Sequence, residues 1–137
     1  MQDYIKVLED ARSCEQQIGL QLEHIERLRR IARRTRESDY NDKEYSVRIC
    51  EKLAALEKEL NEQVDLAVDA KRKALVYLSV LEGEEYSVIY GYYMLAKRWQ
   101  SLADELYMSE RRVYLLRKKA FDTLERHFGK ESGKKWA

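Results

Sequence analysis

The sequence has no proline, only five glycines, two cysteines and two histidines, and no long apolar run. Each shortage removes a class of protein. With 137 residues, 37% charged and 45% hydrophobic, the chain has enough apolar material for one domain or two small helical modules. It does not have enough for a deep enzyme cleft with its own loops. Cys14 and Cys50 are too few and too far apart for a metal site or a disulfide framework, and His24 and His127 are isolated from other ligands. There is no glycine-rich phosphate loop, and the many carboxylates fall on solvated helical faces, so the sequence names no catalytic residue, metal site or cofactor. The longest uncharged stretch, Tyr86 to Ala96, is far short of the roughly 20 apolar residues of a membrane span. The N-terminus also lacks an apolar signal segment, and the expectation is a soluble cytoplasmic protein without a membrane partner.

What the chain does have is helical periodicity. Tyr4, Leu8, Ala11, Cys14, Ile18, Leu22, Ile25, Leu28 and Ile31 follow steps of three and four, which place them on one helical face. Between Arg34 and Glu44 the period lapses, and Thr35, Ser38, Asp39, Asn41 and Asp42 offer the short polar side chains of turns and caps. The period resumes at Ile49, Leu53, Leu56, Leu60, Val64, Ala67, Ala74, Leu78 and Leu81, close to an apolar heptad seam. Two long helices with a short connection imply an antiparallel coiled-coil hairpin over residues 1–81. On such a hairpin the two cysteines lie roughly 17 residues apart along the axis, about 25 Å, so they cannot bridge and are expected as core fillers. Gly83 is placed to break the second helix, and Glu84 and Glu85 suit the start of the next. A second module is expected over residues 82–128, followed by a flexible basic tail over 129–137. The fold class is therefore all-α.

The charges are segregated. Residues 26–36 sum to +5 and residues 94–137 to +5, while 37–69 sum to −6 and 1–25 to −3. The two basic blocks are what a polyanion would meet. Within the second block, SLADELYMSERRVYLLRKKAFDTL has the layout of a helix-turn-helix. Ala103 is small where helices approach, Leu106 and Met108 flank the turn, Ser109 caps the next helix, and Val113, Leu116, Ala120 and Leu124 form its buried stripe. Glu110, Arg111, Tyr114, Leu115 and Lys118 then face outward as candidates for base edges of double-stranded DNA. Lys97, Arg98, Gln100, Ser109, Arg112 and Arg117 are the candidates for phosphate contact. The tyrosines 86, 90, 92 and 93 with Trp99 have helical spacing and few interleaved cations, and are expected as packing between hairpin and C-terminal module. For the run from Arg27 to Arg36, a second nucleic-acid surface, a patch for an acidic protein and a solvated helix end all stay open.

The stretch WQSLADELYMSERRVYLLRKKAFDTL resembles the region-four helix-turn-helix of bacterial primary sigma factors. With YIKVLEDARSC and HIERLRRIA before it, nearly the whole chain resembles small phage and prophage proteins related to the RinA-like and ArpU-like late transcriptional regulators. The resemblance implies a phage-encoded transcriptional regulator in the host bacterial cytoplasm, with DNA as partner and host RNA polymerase as a second candidate. Three departures stand out. Tyr107 occupies a turn position usually given to glycine, Leu115 stands on the reading face, and Arg98 replaces the Ser or Thr cap before Gln100 and Ser101. Leu115 has no group to bond a base edge but can meet a thymine methyl. The alternative is a helical interaction protein that grips a host protein, RNA polymerase or a defence factor. A homodimer would set two motifs on a pseudo-palindromic site.

Overall fold

The computed structural model describes residues 3–129 apart from 38–42, and within them the chain is helical with no strand. Five α-helices follow in order: α1 Tyr4–Glu37, α2 Lys43–Leu78, α3 Gly83–Tyr93, α4 Trp99–Glu105 and α5 Glu110–Leu124, the last continued by a π-helical turn Glu125–Gly129. Of the expected reversal between Arg34 and Glu44, residues 34–37 are still in α1 and 43–44 already in α2, so the helices run further than the apolar period suggests, while residues 38–42, like residues 130–137 of the expected tail, lie outside the described residues. The second helix stops at Leu78, earlier than the apolar period suggested. Leu81 N–H then bonds the Leu78 carbonyl, and Gly83 takes φ +57°, a backbone setting that costs a glycine nothing.

The chain packs as two compact units, one of residues up to Glu15 with those from Ala67 onward, the other Gln16–Leu66. The first unit holds a core of Tyr4, Val7, Leu8 and Ala11 from α1, Ala74 and Leu78 from α2, then Leu81, Ile89, Tyr93, Met94, Ala120 and Leu124. Tyr77, Tyr86, Tyr90, Tyr92, Trp99 and Phe128 pack around it half-buried. The expected role of the aromatic run as packing material holds for Tyr93, which is buried, and in part for its neighbours. Lys71 bonds Glu15 in the same unit, and the Tyr4 hydroxyl donates to Glu125 Oε1 at 2.7 Å.

In the second unit, Arg29 pairs with Glu57 at 2.6 Å and Gln21 bonds Glu59 at 3.4 Å, two contacts that link α1 to α2. Ile25, Ala32 and Ile49 are buried, and Ile18, Leu28, Ile31, Leu53, Leu56 and Leu60 are half-buried. Two expected seam residues depart: Leu22 is 45% exposed and Val64 40% exposed. A helical period defines a face, but one facing helix covers only its centre, and these two lie toward the margins. Cys50 is exposed and Cys14 half-buried, both as free thiols, so Cys50 is not a core filler. Among the described residues no helix is long and apolar enough to cross a membrane.

The first unit's core sets a clear contrast. Leu8→Ala removes a fully buried side chain and should lower stability by about 2–5 kcal/mol, whereas Leu22→Ala should stay within about 0.5 kcal/mol, read from urea midpoints. The tyrosines add a pH dependence. Burial first, then the hydrogen bond to Glu125, makes the Tyr4 phenol hold its proton above the usual range; burial first, then the Tyr92 neighbour, does the same for Tyr93. The unfolded chain ionises these groups near pH 10, so above that pH it binds fewer protons than the folded chain. Stability should be unaffected by them below about pH 10 and fall as pH rises further, and the fall should be shallower in Tyr4→Phe.

Candidate nucleic-acid interface

The basic C-terminal block is organised by α4, a four-residue turn and α5. Val88, Ala103, Val113 and Leu116 form a small buried cluster, closed by Trp99, Leu106 and Met108. Ala120 and Leu124 carry the same stripe of α5 into the larger core. All four residues expected on the buried stripe of this helix are buried, and Ala103 sits at the close approach as its size suggests. A second close approach is at Gly91, where a Cβ would collide with the buried Leu102 side chain. An isolated glycine inside the α3 pattern was its sequence signal.

Ser109 is the N-cap of α5: its backbone is extended, and its Oγ accepts the Arg112 N–H at 3.1 Å. The preceding helix ends on a paired closure. Met108 N–H bonds the Ala103 carbonyl at 3.0 Å and Tyr107 N–H the Asp104 carbonyl at 3.3 Å, the two bonds of a Schellman cap. Such a cap needs a left-handed residue, and Tyr107 supplies it at φ 54° with its side chain 96% exposed. A tyrosine here must either avoid positive φ or bear the strain, and Tyr107 bears it.

Glu110, Arg111, Tyr114, Leu115 and Lys118 are all exposed on α5. Among the described residues Arg98, Arg111 and Lys118 have no carboxylate within 4.0 Å. Lys97 pairs with Glu105, and Arg112 with Glu84 at 2.7 Å, joining the first turns of α3 and α5. The Arg117 guanidinium lies 5.1 Å from the Trp99 ring centre, so this cation is partly occupied as a packing element. Arg98, Gln100 and Tyr114 line a hollow of about 290 Å³ with Arg12, Tyr92 and Trp99. Arg12 belongs to α1 and was not among the sequence candidates. It bonds carbonyls 80 and 85 residues away, a separation that no local spacing reveals.

Among the described residues no three His, Cys, Asp or Glu side chains gather as a metal site. The chain matches no protein-family model, no curated protein and no solved structure.

The turn offers a direct test of strain. A left-handed non-glycine residue costs about 1–2 kcal/mol, and glycine returns part of that as unfolded-state freedom. Tyr107→Gly should therefore raise stability by roughly 0.5–1 kcal/mol, seen as a rise in Tm of a few degrees. Tyr107→Ala keeps the strain and loses only an exposed ring, so its Tm should stay near that of the parent.

Proposed function

We propose that the chain is a DNA-binding transcriptional regulator, phage-encoded, in which an antiparallel helical hairpin precedes a sigma-region-four-like helix-turn-helix made of α4 and α5. The observation that carries this reading is the Ser109-capped α5. Its stripe of Val113, Leu116, Ala120 and Leu124 is buried, and it leaves Glu110, Arg111, Tyr114, Leu115 and Lys118 outward. A helix held this way by its neighbours can enter a major groove without losing core contacts. In this reading Arg111 and Tyr114 reach base edges, Glu110, Leu115 and Lys118 shape selectivity, and Lys97, Arg98, Gln100, Ser109, Arg112 and Arg117 hold phosphates. The resemblance to phage late regulators supports transcription as the process, with host RNA polymerase as second partner and the host bacterial cytoplasm as its place of work. The Arg29–Glu57 and Gln21–Glu59 contacts that link α1 to α2 support the hairpin.

One observation favours a second reading, a helical interaction protein that binds a host protein. Tyr107 is an aromatic left 96% exposed on a strained turn, and Leu115 is 50% exposed nearby in sequence, side chains that burial against a protein partner would cover.

Selection of fragments from randomised and genomic duplex pools by the purified chain, at about 150 mM salt, separates the two. The expected result is a recurring motif that Arg111→Ala relaxes at one or two base positions, at a cost of roughly 1–3 kcal/mol. Contacts to about six phosphates should weaken binding on the order of a thousandfold between 50 and 200 mM salt. Recovery of no fragment by a folded chain would overturn the DNA reading in favour of a protein partner.

A further inference from the structure

Arg12 occupies a position that its place in an N-terminal helix does not suggest. Its Nη1 donates to the Tyr92 carbonyl at 2.6 Å and to the Lys97 carbonyl at 2.9 Å, the two ends of the connection between α3 and α4. Its guanidinium lies 3.7 Å from the centre of the Tyr92 ring, and that ring stacks on Trp99 at 3.8 Å with only 6° between planes. Trp99 is the first residue of α4, so guanidinium, tyrosine and tryptophan form one column that fixes where α4 begins. The connection so held contains Ala96 at φ 55°, a left-handed setting that a β-carbon makes costly. Backbone bonds from Leu95 N–H to the Tyr90 carbonyl and from Lys97 N–H to the Gly91 carbonyl close this connection, and Arg12 adds a charged group that bonds one carbonyl in the last turn of α3 and one just before α4.

Beside this column lies the hollow lined by Arg12, Tyr92, Arg98, Trp99, Gln100 and Tyr114. The lining carries two guanidiniums, an amide, two phenols and an indole, and no carboxylate. Arg98 and Gln100 are exposed, and both follow directly on the connection that Arg12 holds. Such a set of donors suits a tetrahedral, singly charged oxyanion such as a phosphodiester. With Nη1 committed to two carbonyls, Arg12 acts through the turn, and Arg98 is the group that reaches the anion.

We propose that Arg12 is a positioning residue for phosphate recognition: by clamping the α3–α4 connection it sets Arg98, Gln100 and Tyr114 around the hollow as the seat of one backbone phosphate of duplex DNA. The first helix is then a working part of the interface. This inference rests on the DNA reading above and goes further, since it makes an N-terminal residue necessary for a contact made near residue 98.

The test is a double-mutant cycle on the full chain, with a short random-sequence duplex as probe and affinity measured across salt concentration. Arg98→Ala should weaken binding by about three- to tenfold at moderate salt and lower the salt slope by about one. Arg12→Gln should do the same, and the double variant should lose less than about twofold beyond either single, because both remove one phosphate contact. Emission from Trp99, with Trp136 replaced by Phe in all variants, should shift in Arg12→Gln and stay unchanged in Arg98→Ala. If Arg12→Gln fails to keep its helical circular dichroism, Arg12→Lys takes its place in the cycle, since it retains a cation against the Tyr92 ring. Arg12 variants that bind as the parent does, or losses that add independently, would overturn the positioning role and leave the DNA reading standing. A parent chain that binds no duplex even at about 50 mM salt would instead remove the DNA reading and this inference with it.

Discussion

The burial of the first turns of α1 against the C-terminal helices is the constraint on which the rest of the first unit depends. Tyr4, Val7, Leu8 and Ala11 share one core with Ala74, Leu78, Ile89, Tyr93, Met94, Ala120 and Leu124, so residues from the two ends of the sequence exclude water together. That core fixes the C-terminal half of α5, and the smaller cluster of Val88, Ala103, Val113 and Leu116 fixes its N-terminal half. Anchored at both ends, α5 has one rotational setting. A turn of one residue about its axis, 100°, would lift Val113 and Leu116 into water and drive Tyr114 and Arg117 inward. The exposure of Glu110, Arg111, Tyr114, Leu115 and Lys118 is thus a consequence of packing on the opposite face.

Local spacing rules are legible in the chain, whereas the extent to which each face is covered is set by packing. The buried stripe of α5, the cap at Ser109 and the small residue at Ala103 were legible because each is a local rule with a fixed spacing. The helical faces of α1 and α2 were legible too, but their widths were not. Leu22 and Val64 fit the period yet are partly exposed, because the number of facing side chains decides how much of a stripe is covered. Cys50 shows the same limit: its hydrophobic character says what it tolerates and not where it lies. The end of α2 departs from the apolar period for a different reason. Leu81 is buried and so continues the apolar pattern, while the backbone has already left the helix at Leu78.

Tyr107 and Arg12 mark two kinds of illegibility. At Tyr107 the conflict was visible, since a bulky residue stood where a cap favours glycine, but its resolution required the hydrogen bonds. The Schellman closure satisfies two carbonyls of α4, and the cluster beneath the turn, with Leu106 and Met108 on either side, holds the backbone in place. A full set of bonds and contacts outweighs a strain of about 1–2 kcal/mol. At Arg12 nothing was visible at all. A lone arginine among the residues of an amphipathic helix looks like any solvated charge, and only the fold brings it to carbonyls 80 residues on.

Charge bookkeeping over the whole chain is a poor guide to what its surface meets. The total of +1 averages an acidic middle with two basic blocks, and a polyanion responds to the local field within about a Debye length, roughly 8–10 Å. Two cations of the C-terminal block are themselves offset, Lys97 by Glu105 within it and Arg112 by Glu84 of α3. Exposed pairs of this kind are worth at most about 1 kcal/mol and weaken with salt, so a phosphate that approaches either cation has little to displace. In its absence the carboxylates limit the self-repulsion of neighbouring cations. On the DNA reading, the ion pairs and the modest net charge are therefore compatible with phosphate contact. What decides it is whether cations with no carboxylate within 4.0 Å among the described residues, such as Arg98, Arg111 and Lys118, project from a rigid frame, and the two buried clusters with the Arg12 hydrogen bonds supply that frame.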